Sequence, residues 1–157
     1  LEHQRVVRPS GSAAIEIVAS RAKEMCVEVA FTPGGETPSA AVNAVRIEQV
    51  LINLLLNAID ATASLGNSSV SIAARADGDR AVVEILDAGP GMPDAVIEPF
   101  FTTKKTGEGL GLGVSISRAI LEDYGGMLSY APAPGGGTVT TMSLPLAPAR
   151  PALEVAS

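Results

Sequence analysis

Three groups of residues in this 157-residue chain have types and spacings that suit chemistry. The first is the run Glu98-Pro99-Phe100-Phe101-Thr102-Thr103-Lys104-Lys105-Thr106-Gly107-Glu108-Gly109-Leu110-Gly111-Leu112-Gly113. Glycine at every second position lets backbone N–H groups turn toward a bound anion with no Cβ in the way. A helix expected from about Leu112 to Tyr124 would aim its positive end at the same place, and Lys104 and Lys105 add positive charge. Phosphate binding is the natural chemistry, although glycine content alone fits equally well a loop that binds nothing. The run does not end in Gly-Lys-Ser/Thr, so it is not a P-loop, and its spacing is not Gly-x-Gly-x-x-Gly.

The second group is Asn53, Asn57 and Asp60, which fall at i, i+4 and i+7 and therefore share one face of a helix. Asn53 and Asn57 stand among almost wholly apolar neighbours, Leu51 to Ala58. Asparagine is a poor helix former and costly to desolvate without partners. Two stacked on one face favour a ligand-binding surface over a merely solvated one. The third group is Asp87-Ala88-Gly89-Pro90-Gly91, at the end of an expected strand. An acid there, followed by a loop with little side-chain bulk, can accept from an exocyclic amine while the backbone approaches a flat ring. An ordinary turn after a strand is the alternative.

The elements that must carry these groups are legible from periodicity. Ser12 precedes a helical pattern through Ala14, Ile15, Val18, Ala19, Ala22 and Met25. Residues Val27 to Thr32 alternate as a strand with Val27, Val29 and Phe31 inward. Asn43 suits the N-cap of the longest helix, about Ala44 to Leu65, with Gly66 beyond its end. Its apolar stripe is Ile47, Val50, Leu51, Leu54, Ala58 and Ile59. Val70–Ala76 and Ala81–Leu86 read as strands joined at Asp77-Gly78, a hairpin signal. Ile116, Ala119 and Ile120 mark the inner face of the third helix, which Gly125-Gly126 stops. Met127–Ala131 and Thr138–Leu144 form a last hairpin. Helices and strands mix into an α/β two-layer sandwich.

Composition narrows the function classes. A chain 46% hydrophobic can bury a core, and a net charge of -6 argues against non-specific binding to nucleic acid or an anionic membrane. The single cysteine, Cys26, excludes a disulfide framework, and its setting between Met25 and Val27 reads as core. The only histidine, His3, lies in an opening stretch without periodicity. No apolar run has the length of a membrane span, and no signal peptide opens the chain, so a cytoplasmic domain is expected, from a parent that segments elsewhere could anchor in the inner membrane. Residues 1–11 read as a linker or chain end, 12–146 as one domain, and 147–157 as a flexible tail.

Together the groups resemble the boxes of the sensor histidine kinase ATP-binding domain, in its order and approximate spacing. Asn53–Asp60 is similar to the asparagine box and Asp87–Gly91 to the first glycine box. Glu98–Lys104 is similar to the phenylalanine box, Gly107–Gly113 to the second glycine box, and Gly136-Gly137-Thr138 to the third glycine motif. The forms Glu-Pro-Phe-Phe-Thr-Thr-Lys and Gly-x-Gly-Leu-Gly-Leu resemble the nitrogen- and dicarboxylate-sensing subgroup. The resemblance implies the Bergerat fold, with a mixed, mostly antiparallel sheet against about three helices and an ATP lid. It implies ATP and Mg²⁺ as cofactors. By that match Asn57 would coordinate Mg²⁺ with Asn53 assisting, and Asp87 would bind the adenine amino group. Gly89 and Gly91 would permit approach to the base. Gly109, Gly111 and Gly113, with Lys104 or Lys105, would hold the phosphates, Lys104 also serving catalysis. Nucleotide contacts are further implied for Asp60, Phe101, Thr102, Gly107, Leu110, Leu112 and Thr138.

Hydrolytic relatives carry a glutamate four residues before the Mg²⁺ asparagine, where it activates water. Here that position is Asn53, which cannot act as a base near neutral pH. ATP is then kept for another acceptor, a histidine on a separate dimerisation and phosphoacceptor domain, with a response regulator downstream. The chain departs from the pattern in three places. His3 is followed by Gln4 and Arg5 rather than the phosphoacceptor motif, Asp60 stands where many members have lysine, and only Met92–Ile97 separates Gly91 from Glu98. The resemblance thus implies a nucleotide-binding fragment, monomeric alone, from a homodimeric kinase. A non-catalytic ATP-sensing module and a serine kinase of the anti-sigma type are the alternatives. The Phe100-Phe101 box argues against the second.

Overall fold

The computed structural model describes residues 2–5, 12–32, 39–42, 44–67, 69–90 and 112–146. Its elements run β1 (Glu2–Arg5), α1 (Ser12–Glu24), β2 (Glu28–Thr32), β3 (Ser39–Val42), α2 (Ala44–Ser64), β4 (Ser69–Asp77), β5 (Arg80–Asp87), α3 (Leu112–Asp123), β6 (Met127–Pro132) and β7 (Thr138–Pro145). Five strands form one mixed sheet in the order β2-β4-β5-β7-β6, in which only the β2–β4 pair is parallel. The three helices meet along α2, which packs on both α1 and α3 and on β4 and β5. The result is the expected two-layer α/β sandwich.

Alternation builds the sheet side of the core. Val70, Ile72 and Ala74 of β4, Ala81, Val83 and Ile85 of β5, and Met142 and Leu144 of β7 point inward and are buried. Against them lies the α2 stripe, Ile47, Val50, Leu51, Leu54, Ala58 and Ile59, joined by Leu55. All of it is buried, so α2 is fixed in rotation. Its asparagines must then face away from the sheet.

All three helices end the same way. Gly126 N–H reaches back to Leu121 O at 2.7 Å, with Gly125 N–H on Glu122 O. Asn67 and Gly66 repeat the pattern on Thr62 and Ala63 of α2, and Val27 and Cys26 on Ala22 and Lys23 of α1. This is the Schellman arrangement, which needs a left-handed residue just past the helix. Gly66 and Gly125 supply it, each at φ 72°. On α1 the position falls to Cys26, at φ 57°. Cys26 is exposed, so the core position expected for it is corrected: the cap turns its side chain outward while Val27 is buried.

A second correction concerns α3. Ile120 is buried as expected, but Ile116 is 44% exposed and Ala119 is exposed. Val114, Ser117 and Leu121 share the inner side instead. Val114 and Leu121 are two turns apart and set the stripe, and Ile116 lies about 200° round from Val114. The β4–β5 register pairs Asp77 with Arg80, so the turn residues are Gly78 and Asp79, one later than the sequence signal. Gly78 has φ 62° and no non-glycine here has positive φ, the pattern of a II′ hairpin. The sequence also showed no element at 2–5 or 39–42, yet these strands pair antiparallel as a separate two-stranded sheet. Two four-residue strands so far apart in sequence leave no local signal. Asn43 lies outside the described residues. No described helix is long and apolar enough to cross a membrane.

Candidate functional site

With the stripe of α2 buried, Asn53, Leu56, Asn57 and Asp60 line a cleft of about 760 Å³. The opposite wall is α1, through Glu16, Ile17, Ser20, Arg21 and Glu24, and Gly113 in the first turn of α3 completes the lining. All three polar α2 residues are partly exposed, so a ligand can reach them. Gly113 brings the N-terminal, partly positive end of α3 to the same cleft. Arg21 Nε donates to Asp60 Oδ1 at 2.9 Å and ties the walls together.

The acid of the third group is held beside the C-terminal turn of α2, just past the cleft residues. Asp87 ends β5 and is paired in register with Thr138 at the start of β7. Its Oδ1 accepts from the backbone N–H of Gly89 at 2.9 Å and of Thr138 at 3.2 Å. Among the described residues no donor reaches Oδ2. Burial pushes the Asp87 carboxyl above its ordinary value, and the two N–H donors partly offset the rise. The carboxylate is thus fixed through one oxygen and can present the other to a donor.

The loop after Asp87 is fastened to the last turn of α2. Ala88 N–H donates to Thr62 Oγ1 at 3.0 Å, and Asn67 Nδ2 donates to Ala88 O at 2.6 Å. Gly89 is buried against Ala61, and a Cβ on it would lie 2.8 Å from Ala61 backbone atoms. Gly137 has φ 93°, and a Cβ there would lie 2.0 Å from Asp87 O. Both glycines are therefore needed for close approach and not only for turning. Asp60, Ala61 and Thr62 are consecutive, so one helical turn joins the cleft to the Asp87 loop.

The expected site residues divide accordingly. Asn53, Asn57, Asp60 and Gly113 share the cleft, and Asp87, Gly89 and Thr138 form the second cluster. Leu112 opens α3. Gly91, Phe101, Thr102, Lys104, Lys105, Gly107, Gly109, Leu110 and Gly111 lie outside the described residues. Arg21, Thr62 and Asn67 escaped sequence reading. Thr62 had a faint signal, a hydroxyl at the next position of the Ala58–Ile59 stripe. Arg21 had none, because its partner is 39 residues away.

The model of the histidine kinase-, DNA gyrase B- and HSP90-like ATPases matches residues 42–148. The chain belongs to this family. It is 40% identical over 140 residues, 85% of its length, to the C4-dicarboxylate transport sensor protein DctS of Rhodobacter capsulatus, of which it spans 21%. To the sensor histidine kinase ZraS of Escherichia coli it is 33% identical over 136 residues, covering 84% of this chain and 28% of that one. The catalytic domain of histidine kinase ThkA superposes with a TM-score of 0.71 at 29% identity, covering 92% of this chain and 96% of that one. Full-length ShkA in complex with AMPPNP gives 0.72 at 26% identity, over 94% of this chain and 33% of that one. The family is ATP-binding, and the five-stranded mixed sheet with three helices is the fold of these catalytic domains. The chain spans under a third of the curated sensor kinases it matches.

Proposed function

We propose that this chain is the ATP-binding catalytic domain of a two-component sensor histidine kinase. It binds Mg²⁺-ATP and passes the γ-phosphoryl group to a histidine on a separate dimerisation and phosphoacceptor domain, from which a response regulator is phosphorylated. The observation that carries this reading is Asp87: a carboxylate fixed by two backbone donors at a strand end, tied by Thr62 and Asn67 to the helix that bears Asn53 and Asn57. Asp87 accepts from the adenine amino group, and Gly89 lets the base lie close. The phosphates then run toward Asn57, Asn53 and the start of α3 at Gly113.

The described residues hold no cluster of three or more acidic, histidine or cysteine side chains fit for a metal. Mg²⁺ is usually held by few protein oxygens together with substrate phosphates and water. The amide oxygens of Asn57 and Asn53 are hard donors of the right kind. Asn57 and Asn53 are the residues that would hold Mg²⁺, which when bound would supply positive charge to offset that of the phosphates. The chain's own part is positioning and electrostatic stabilisation. Asn53 supplies no base, so water is a poor acceptor. Lys104, Lys105, Gly107, Gly109 and Gly111, with Phe101, Thr102, Gly91 and Leu110, are assigned to the nucleotide on the sequence resemblance. Domain bounds of 12–146, a monomeric fragment, a cytoplasmic location for this domain and a homodimeric parent that segments elsewhere could anchor in the inner membrane belong to the same proposal.

Mixing the chain with ATP, Mg²⁺ and its own phosphoacceptor domain tests the reading. Phosphohistidine should form on that domain while steady-state phosphate release by the chain alone stays near background. Nucleotide binding without any phosphotransfer would instead make this an ATP-sensing module.

A further inference from the structure

The wall that faces the asparagines comes from α1, which lies outside the stretch matched by the family model. Its charges are unexpected for a polyphosphate site. Glu16, Glu24 and Asp60 bring three carboxylates to the cleft, and among its described lining residues Arg21 is the single cation. Asp60 sits three residues past Asn57 on the same face of α2, within a turn of whatever Asn57 binds. An uncompensated carboxylate at that range from a phosphate charge would weaken binding about tenfold, allowing for partial solvent screening.

Arg21 stands where it removes that penalty. Its Nε donates to Asp60 Oδ1 at 2.9 Å, and its Nη1 meets Glu24 Oε1 at 3.4 Å. The side chains of Arg21 and Asp60 are 35% and 22% exposed, so the pair sits at the cleft surface and not in bulk water. We propose that Arg21 is a positioning residue for polyphosphate specificity: by pairing with Asp60 it cancels the carboxylate beside Asn57 and lets the cleft accept a triphosphate. This rests on the nucleotide reading above and adds α1 to the nucleotide site. A purely mechanical role, joining α1 to α2, uses the same ion pair and must be separated from it.

Calorimetric titration of adenosine, ADP and ATP with Mg²⁺ into the chain, R21Q and R21Q/D60N makes the separation. R21Q should weaken ATP about tenfold, ADP less, and adenosine by under about twofold, since only the phosphates sense the charge. R21Q/D60N should restore ATP to within about threefold of wild type, because the carboxylate has gone although the ion pair is still missing. Equal weakening of all three ligands, or a loss that D60N does not restore, would overturn the proposal in favour of a strut or of direct phosphate contact. Unchanged ATP affinity in R21Q overturns it as well. If R21Q does not fold, D60N alone decides: ATP should bind about threefold more tightly with Arg21's charge released, and weaker binding contradicts the role. Failure of the wild type to bind any of the three ligands would remove the nucleotide reading itself, which is a separate result.

Discussion

At the scale of single residues, Asp87 gives the most direct chemistry. A carboxylate accepts from the adenine amino group, whereas guanine presents a carbonyl at that ring position and would leave Oδ2 facing an acceptor. Asp87→Asn can donate as well as accept, so the preference for ATP over GTP should shrink by about 1–3 kcal/mol, the scale of a buried unsatisfied group. Competition binding with both nucleotides measures it, and an unchanged ratio would mean that Asp87 only caps a turn. The carboxyl also makes a pH prediction. Its folded pKa is raised above the ordinary 3.8 by burial, so the ionised form costs stability at neutral pH. That cost should fade as pH drops through the raised folded value and be gone below the unfolded value. Urea titrations over this range should show wild type gaining stability relative to D87N as the pH falls, opposite to a salt-bridged carboxylate. Asp87 and both asparagines were legible in sequence because each is a polar residue set against an apolar or glycine background. Thr62 and Asn67 were not, since their role is to hold the backbone of Ala88 from another element.

At the scale of elements, two substitutions test how helix ends place the site. Thr62 is fully buried, and Thr62→Val keeps its shape while leaving Ala88 N–H without an acceptor. That should cost about 1–3 kcal/mol in chemical denaturation and weaken ATP by displacing the Asp87 loop. Cys26 makes the opposite case. It occupies the left-handed cap position that glycine fills on α2 and α3, at a conformational cost of about 1–2 kcal/mol for an L-residue. Cys26→Gly should therefore stabilise the fold by up to about 1 kcal/mol, less than the full cost because glycine also loses more backbone freedom on folding. A higher urea midpoint with unchanged nucleotide binding is the expected result. The α2 stripe was readable from Ile47 to Ile59, more than three turns, because every member is buried. On α3 the expected face was rotated, because Ile116 and Ala119 suggest a stripe as plausible as Val114, Ser117 and Leu121. Sequence periodicity gives the existence of a short amphipathic helix more securely than its rotation.

At the scale of the whole molecule, one long helix organises the candidate site. The α2 core stripe fixes its rotation, its outer face carries Asn53, Asn57 and Asp60 into the cleft, and its last turn holds the Asp87 loop. The two clusters are far apart in sequence but meet on one rigid element. The sandwich could be expected from alternating strands and three helical patterns, whereas the β1–β3 pairing and the Arg21–Asp60 bridge are tertiary facts without local cause. Asn53 in place of a general base further predicts that the isolated chain releases phosphate near background even when saturated with Mg²⁺-ATP; brisk turnover in a steady-state assay would contradict it. The most direct measurement is a crystal structure of the chain with a non-hydrolysable ATP analogue and Mg²⁺. The adenine amino group should lie within hydrogen-bond distance of Asp87, and the metal beside the phosphates should be coordinated by Asn57 Oδ1. A nucleotide bound elsewhere, with Asp87 and Asn57 untouched, would contradict the assignment.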